Sequence, residues 1–141
     1  MFQLLDKKYP MLHIKKAKHF LDAAWNDFDD GFYDTSISHA YYAMHHAARA
    51  LLLLLGESPK THSGVINVLW SEAKKFSNIN GDDVKKLSSA FGRRIECDYG
   101  VEFEMSRKED ALDIIHNAED FVDRAESAIE DFKLSVRTRR E

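Results

Sequence analysis

Residues 34–63, DTSISHAYYAMHHAARALLLLLGESPKTHS, decide the fold. Ile37, Ala40, Tyr41, Met44, Ala47, Ala48, Leu51 and Leu55 recur every three or four positions. At about 100° per residue they gather into one apolar stripe along an α-helix, and that stripe must be buried. Thr35, His39, Tyr42, His46 and Arg49 run down another side of the same helix. A solvated face usually carries Lys and Glu, whereas His, Tyr and Arg are the types enriched at interfaces and sites. Gly56 stops the helix, Ser58-Pro59 supplies a cap and a first-turn proline, and Lys60-Thr61-His62-Ser63-Gly64 leads into the next apolar pattern.

Outward from this helix, the periodicity predicts four more. The first spans Met11 to Asp29, with Leu12, Phe20, Leu21, Ala24 and Phe28 inward, and ends at Gly31. The third spans Thr61 to Phe76, burying Val65, Leu69, Ala73 and Phe76, with Ile66 and Trp70 widening that line. Asn80 caps the fourth, whose first turn holds Asp82 and Asp83 where acids suit the helix dipole, and Val84, Leu87, Phe91 and Ile95 face inward. Ser106-Arg-Lys-Glu109 is a capping box opening the fifth. There Ala111, Ile115, Ala118, Val122, Ala125, Ile129, Phe132 and Val136 alternate spacings of four and three, the seam of a helix packed nearly parallel to another. Three alanines on that seam and four companion helices favour an intramolecular bundle over a coiled-coil homodimer. The expected architecture is all-α, an up-and-down bundle of about five helices forming a single domain over residues 1–141.

Composition narrows the function classes. A hydrophobic content of 44% in 141 residues supports a continuous core without staples. The single cysteine, Cys97, excludes an intramolecular disulfide and points to a reducing, cytoplasmic setting. Met1 to Pro10 lacks the pattern of a signal peptide, and the Leu51–Leu55 run is far shorter than the ~20 residues of a membrane span. A net charge of −4 argues against a broad basic nucleic-acid surface, while leaving local clusters such as Lys15, Lys16 and Lys18, or Arg137, Arg139 and Arg140, free to touch phosphates. No HExxH, Cys-His set or Gly-rich phosphate loop occurs, so neither a metal nor a nucleotide cofactor of those kinds is expected. His39 and His46 share a face but lie roughly 10 Å apart along the axis, too far to ligate one ion. They and His45 read either as hydrogen-bonded groups at helix contacts or as part of a dimer interface.

Arg93 and Arg94 are adjacent, so a helix turns them apart by about 100°. Arg94 borders the inward line of the fourth helix and Arg93 points away. Asp98 is one turn beyond Arg94 and Tyr99 follows it. Arg94 and Asp98 are either an ordinary ion pair or a guanidinium held for a phosphate, with the Tyr99 hydroxyl as a further donor. His62, between Thr61 and Ser63 at a helix start and beside Lys60, is a second anion candidate, against simple capping by Thr61.

AYYAMHHAARALLLLLGESPKTHSGV resembles the second helix and following turn of HEPN domains, in particular the small stand-alone prokaryotic group. Many HEPN proteins carry an arginine followed four to six residues later by a histidine, a pair that the family resemblance makes the centre of a metal-independent ribonuclease site between two protomers. This chain departs from that pattern: no histidine follows Arg93 or Arg94 before His116, and Arg94, Asp98 and Tyr99 resemble an Arg-to-Asp-Tyr variant. A histidine near pKa 6.5 shuttles protons at neutral pH, whereas an aspartate near 3.9 is a poor acid. The resemblance implies a homodimer, often paired with a minimal nucleotidyltransferase as toxin and antitoxin. Two readings stand: a binding module presenting His39, Tyr42, His46, Arg49, Lys60, His62 and Arg94 to a partner protein, nucleotide or RNA, or an RNA endonuclease acting through Arg94, Asp98 and Tyr99.

Overall fold

The computed structural model describes residues 8–100 and 108–140, with side chains through Phe132. Five α-helices follow one another: α1 (Lys8–Asp29), α2 (Tyr33–Leu54), α3 (His62–Glu72), α4 (Gly81–Tyr99) and α5 (Lys108–Arg140). Among the described residues there is no strand. The expected capping box at Ser106, the side chain of Val136 and the terminal arginines lie outside what is described.

The helix quoted first is the axle of the bundle, since α2 packs against each of the other four. Its buried residues are not confined to the expected stripe; Ser36, Ser38, Ala43, His45, Ala50, Leu52 and Leu54 are buried as well. A helix covered on nearly every side needs small residues, and the alanines of α2 let its neighbours approach. Cross-helix contacts give the direction of each. Ser36 Oγ donates to Ala24 O at 2.9 Å and His13 meets His46, so α1 and α2 run antiparallel. Ser38 reaches Asp98 and Tyr42 reaches Arg94, so α4 is antiparallel to α2. Lys18 pairs with Glu126 at 2.9 Å and Trp25 Nε1 donates to Glu119 at 2.9 Å, which sets α5 antiparallel to α1. The result is an up-and-down bundle around one core, which takes in Ile115, Ala118, Val122, Ala125 and Ile129 of the α5 seam.

Boundaries follow local chemistry. α1 is already helical at Lys8, the first described residue, three positions before the expected Met11, and it takes in the buried Pro10. Gly31, at φ +83°, ends it as expected. Asn80 and Asp83 form a reciprocal capping box, and Arg124 of α5 donates to the buried Asp83. The third helix stops at Glu72 rather than Phe76: a 3-10 turn over Ala73–Lys75 tightens the chain while Ala73 and Phe76 stay buried. Thr61, not Ser58, is the cap of α3, accepting from Gly64 N at 2.9 Å.

Three expected core residues face solvent. Leu12 is 51% exposed because it lies about 200° around the helix from Ile14, which faces the core. Trp70 is 45% exposed and lies over Gly81, where an added Cβ would meet its ring at 3.3 Å. Ile95 keeps the phase of Val84 and Leu87 but is 40% exposed, since α4 leans on α2 and only slightly on α5.

Candidate functional site

α4 delivers Arg94 to the flank of α2. Arg94 Nε lies 2.7 Å from Asp98 Oδ2, one turn on. The N–H is not aligned with that oxygen, so the contact is electrostatic, and the buried Nε keeps no hydrogen-bond partner. A terminal nitrogen, Nη2, donates to the Tyr42 hydroxyl in a short bond, and the guanidinium carbon sits 5.1 Å from the Tyr42 ring centre, within cation–π range. Asp98 is itself anchored, accepting from Ser38 Oγ at 2.6 Å. The Arg94 side chain is only 14% exposed. Most of its desolvation and its orientation therefore precede any ligand, which raises what an anion contact is worth.

A second group of polar side chains adjoins the first. The Tyr41 hydroxyl, on a ring that is fully buried, lies 2.6 Å from His62 Nδ1 and 3.4 Å from His45 Nδ1. Arg49 Nε donates to His45 Nε2 at 2.9 Å, and Arg49 Nη1 donates to Pro59 O at 3.0 Å. The two imidazoles stack with centroids 4.2 Å apart, and His62 lies parallel to Phe91 at 5.7 Å. The backbone carrying His62 is set by the Thr61 cap, which requires glycine at 64 because a Cβ there would stand 2.8 Å from Thr61 Oγ1. Burial, reinforced by the charges of Arg94 and Arg49, lowers the His62 pKa. Burial together with its charged neighbours pushes His45 down to about 3, and burial raises Tyr41 above its ordinary value. All three are neutral near pH 7.

The sequence's polar line is thus divided among three destinations. Tyr42 meets Arg94. Arg49 meets His45 and the α2–α3 loop. His39 and His46 are instead covered by α1: His39 Nδ1 pairs with Asp27 at 2.6 Å, and His46 Nδ1 lies 3.0 Å from His13 Nδ1. Phe20 stacks against His39, Tyr42 and His46 at 5.8, 5.5 and 5.5 Å. These residues are half-buried within the chain's own fold, so the line is not a bare face. Burial, then the charges of His13 and Lys16, pushes His46 down to about 4.

Two expected site residues stand apart. Tyr99 is 74% exposed at the end of α4, turned away from the place its hydroxyl was expected to fill, which Tyr42 takes instead. Lys60 is exposed on the loop before α3. Arg93 points away from Arg94 as expected, though not to bare solvent: it bonds Glu96 at 2.8 Å and Asp110 of α5 at 3.3 Å. Ser38, Tyr41, His45 and Phe91 entered the site without being singled out for it. One signal for them was legible, since Tyr41, His45 and Arg49 repeat at intervals of four, a polar ladder beside the stripe.

The model of the HEPN domain matches residues 11–128, a span that includes the α2 axle and Arg94 and Asp98 on α4. This chain belongs to the HEPN domain family. It is 43% identical to a UPF0332 protein of Archaeoglobus fulgidus over 84% of this chain and 93% of that relative. It is also 32% identical to proteins of Methanocaldococcus jannaschii named "Putative toxin MJ0142" and "Putative toxin MJ0605", covering 75% and 87% of them. In this HEPN chain Arg94 of α4 and the His62 imidazole at the start of α3 both lie against the Tyr42 ring. Among the described residues no three His, Cys, Asp or Glu side chains converge to hold a metal ion. No helix of the described residues is long and apolar enough to cross a membrane.

Proposed function

We propose that this HEPN protein is a toxin-like binding module that grips a phosphate group of RNA or of a nucleotide through Arg94, and that it works as the partner of a minimal nucleotidyltransferase. One observation carries the reading: a largely buried guanidinium is backed by an anchored Asp98 and braced by Tyr42, while its Nη1 has no partner among the described residues. Tyr42, having accepted from Arg94, keeps its own proton for a second ligand oxygen. The names of the Methanocaldococcus relatives support the toxin-like role, and the polar, aromatic character of the neighbouring face suits a homodimer or the partner enzyme.

The rival reading, metal-independent cleavage of RNA, is favoured by one specific feature: His62 lies beside Tyr42, with ring centroids 6.0 Å apart, and so brings an imidazole near Arg94. Incubating the protein with single-stranded and structured RNA, with and without chelator, separates the two. Retention of intact RNA by the wild type and its loss in Arg94→Gln, with Arg93→Gln as control, is the expected result. Chelator-resistant cleavage would replace the binding reading by the enzymatic one. Co-purification with the nucleotidyltransferase of a neighbouring reading frame tests the partnership.

A further inference from the structure

The chain Arg49–His45–Tyr41–His62 has a direction, and its first member sets it. A guanidinium is protonated at every pH at which proteins fold, so Arg49 Nε can only donate and His45 Nε2 can only accept. A neutral imidazole has one donor and one acceptor nitrogen. His45 therefore carries its proton on Nδ1, the form that a free imidazole populates less, and turns that N–H toward the Tyr41 hydroxyl. The Tyr41 proton then has one acceptor left, His62 Nδ1 at 2.6 Å. His62 must in turn carry its proton on Nε2, the nitrogen outside the chain. Each ring is neutral because one of its nitrogens accepts, His45 Nε2 from Arg49 and His62 Nδ1 from Tyr41, and burial beside the charges of Arg49 and Arg94 opposes a second proton. Stacking on His45 and Phe91 keeps the ring plane from turning.

We propose that this relay makes His62 a fixed hydrogen-bond donor to the phosphate oxygen of the ligand held by Arg94, rather than an acceptor of protons from it. The proposal rests on the Arg94 reading given above and adds to it a second, neutral N–H contact and a reason for the chemistry to stop at binding. A base at this position would need a free lone pair facing the ligand; the relay occupies the lone pair of Nδ1 with the Tyr41 proton and covers that of Nε2 with a proton. Tyr41, His45 and Arg49 act as positioning residues, reaching the ligand only through His62. Their burial and spacing explain why a fully buried tyrosine keeps its hydroxyl: it passes the orientation of Arg49 to the rim.

Long-range proton–nitrogen correlation spectra of the full chain at pH 7.5 test the relay without any ligand. His45 should show a proton on Nδ1 and His62 a proton on Nε2; a proton on His45 Nε2 or on His62 Nδ1 overturns it. Tyr41→Phe, which keeps the ring and removes the hydroxyl, should release His62 into a mixture of both forms. Titration with inorganic phosphate then tests the ligand contact. His62→Gln, whose amide donates but cannot take up a proton, should hold phosphate within about threefold of wild type, and His62→Leu should lose about tenfold. Equal loss in both variants overturns the donor role. So does chelator-resistant RNA cleavage by wild type that His62→Gln abolishes. If the tautomers are as stated but Arg94→Gln binds phosphate as wild type does, the Arg94 reading fails while the relay stands.

Discussion

The two flanks of α2 use the same residue types to opposite ends. Toward α1, His39 closes on Asp27 and His46 closes on His13, with Phe20 laid across both. Each of these side chains meets its partner through one ring nitrogen, His39 Nδ1 on Asp27 and His46 Nδ1 on His13 Nδ1. Toward α3 and α4, the bonds run outward: Arg49 to His45 to Tyr41 to His62, and Ser38 to Asp98, which backs Arg94 and Tyr42. Those chains end on groups that still have a proton to give. A cluster of histidines is therefore not diagnostic of a site; what separates the flanks is that one holds isolated pairs beneath α1 while the other holds a continuous chain of bonds from Arg49 to His62, beside Tyr42 and Arg94.

Acid should strike both flanks through their neutral histidines. The folded pKa values of His45 and His46 are depressed, to about 3 and about 4, so the unfolded chain binds more protons below pH 6.5. Their contribution is complete above 6.5 and is lost as pH falls toward those folded values. Urea unfolding between pH 6.5 and 5, where most carboxylates stay ionised, should show stability falling by on the order of 2–3 kcal/mol. A flat profile would mean that the His13–His46 and His45–His62 contacts tolerate charge.

Arg94→Gln should separate the flanks most sharply. We expect about a 100-fold loss of phosphate or RNA affinity, with stability lowered by roughly 1 kcal/mol as Tyr42 and Asp98 lose their partner. A variant that binds normally would make Arg94–Asp98 a structural pair. Asp27→Asn acts on the closed flank, where the Asp27 carboxylate meets His39, and should cost about 1 kcal/mol in chemical denaturation while leaving phosphate affinity within twofold. If affinity collapses with the protein still folded, the His39 side of α2 belongs to the site and the two flanks are one. The smallest effect is expected of Arg93→Gln, whose pairs to Glu96 and Asp110 are partly exposed: under about 1 kcal/mol in stability and no change in binding.

Much of this was legible in the one-dimensional chain. The spacing of Ile37, Ala40, Tyr41, Met44 and Leu51 established α2, and the Asn80–Asp83 signal established the start of α4, because helix periodicity and capping are properties of residues a turn apart. The turn of about 100° between neighbours likewise separated Arg94 from Arg93. Leu12 was assigned to the wrong phase of α1, whereas Ile95 keeps its phase and is exposed because periodicity shows which residues share a face and the position of the covering helix decides whether that face is covered.

The sequence alone determined that the chain is an all-α bundle organised around α2, since local spacing of apolar residues suffices for that. It also singled out Arg94, by its position on the border of an apolar line. Only the tertiary structure decided that Tyr42 and not Tyr99 braces this arginine, that His39 and His46 are sealed beneath α1, and that His62 stands at the end of a directed chain of bonds. Those partners lie tens of residues apart in the chain and meet only because α1, α3 and α4 pack around one helix. Local pattern carries no record of which of two adjacent hydroxyls a distant guanidinium will reach, because that depends on how far α4 slides along α2 before its apolar residues lock.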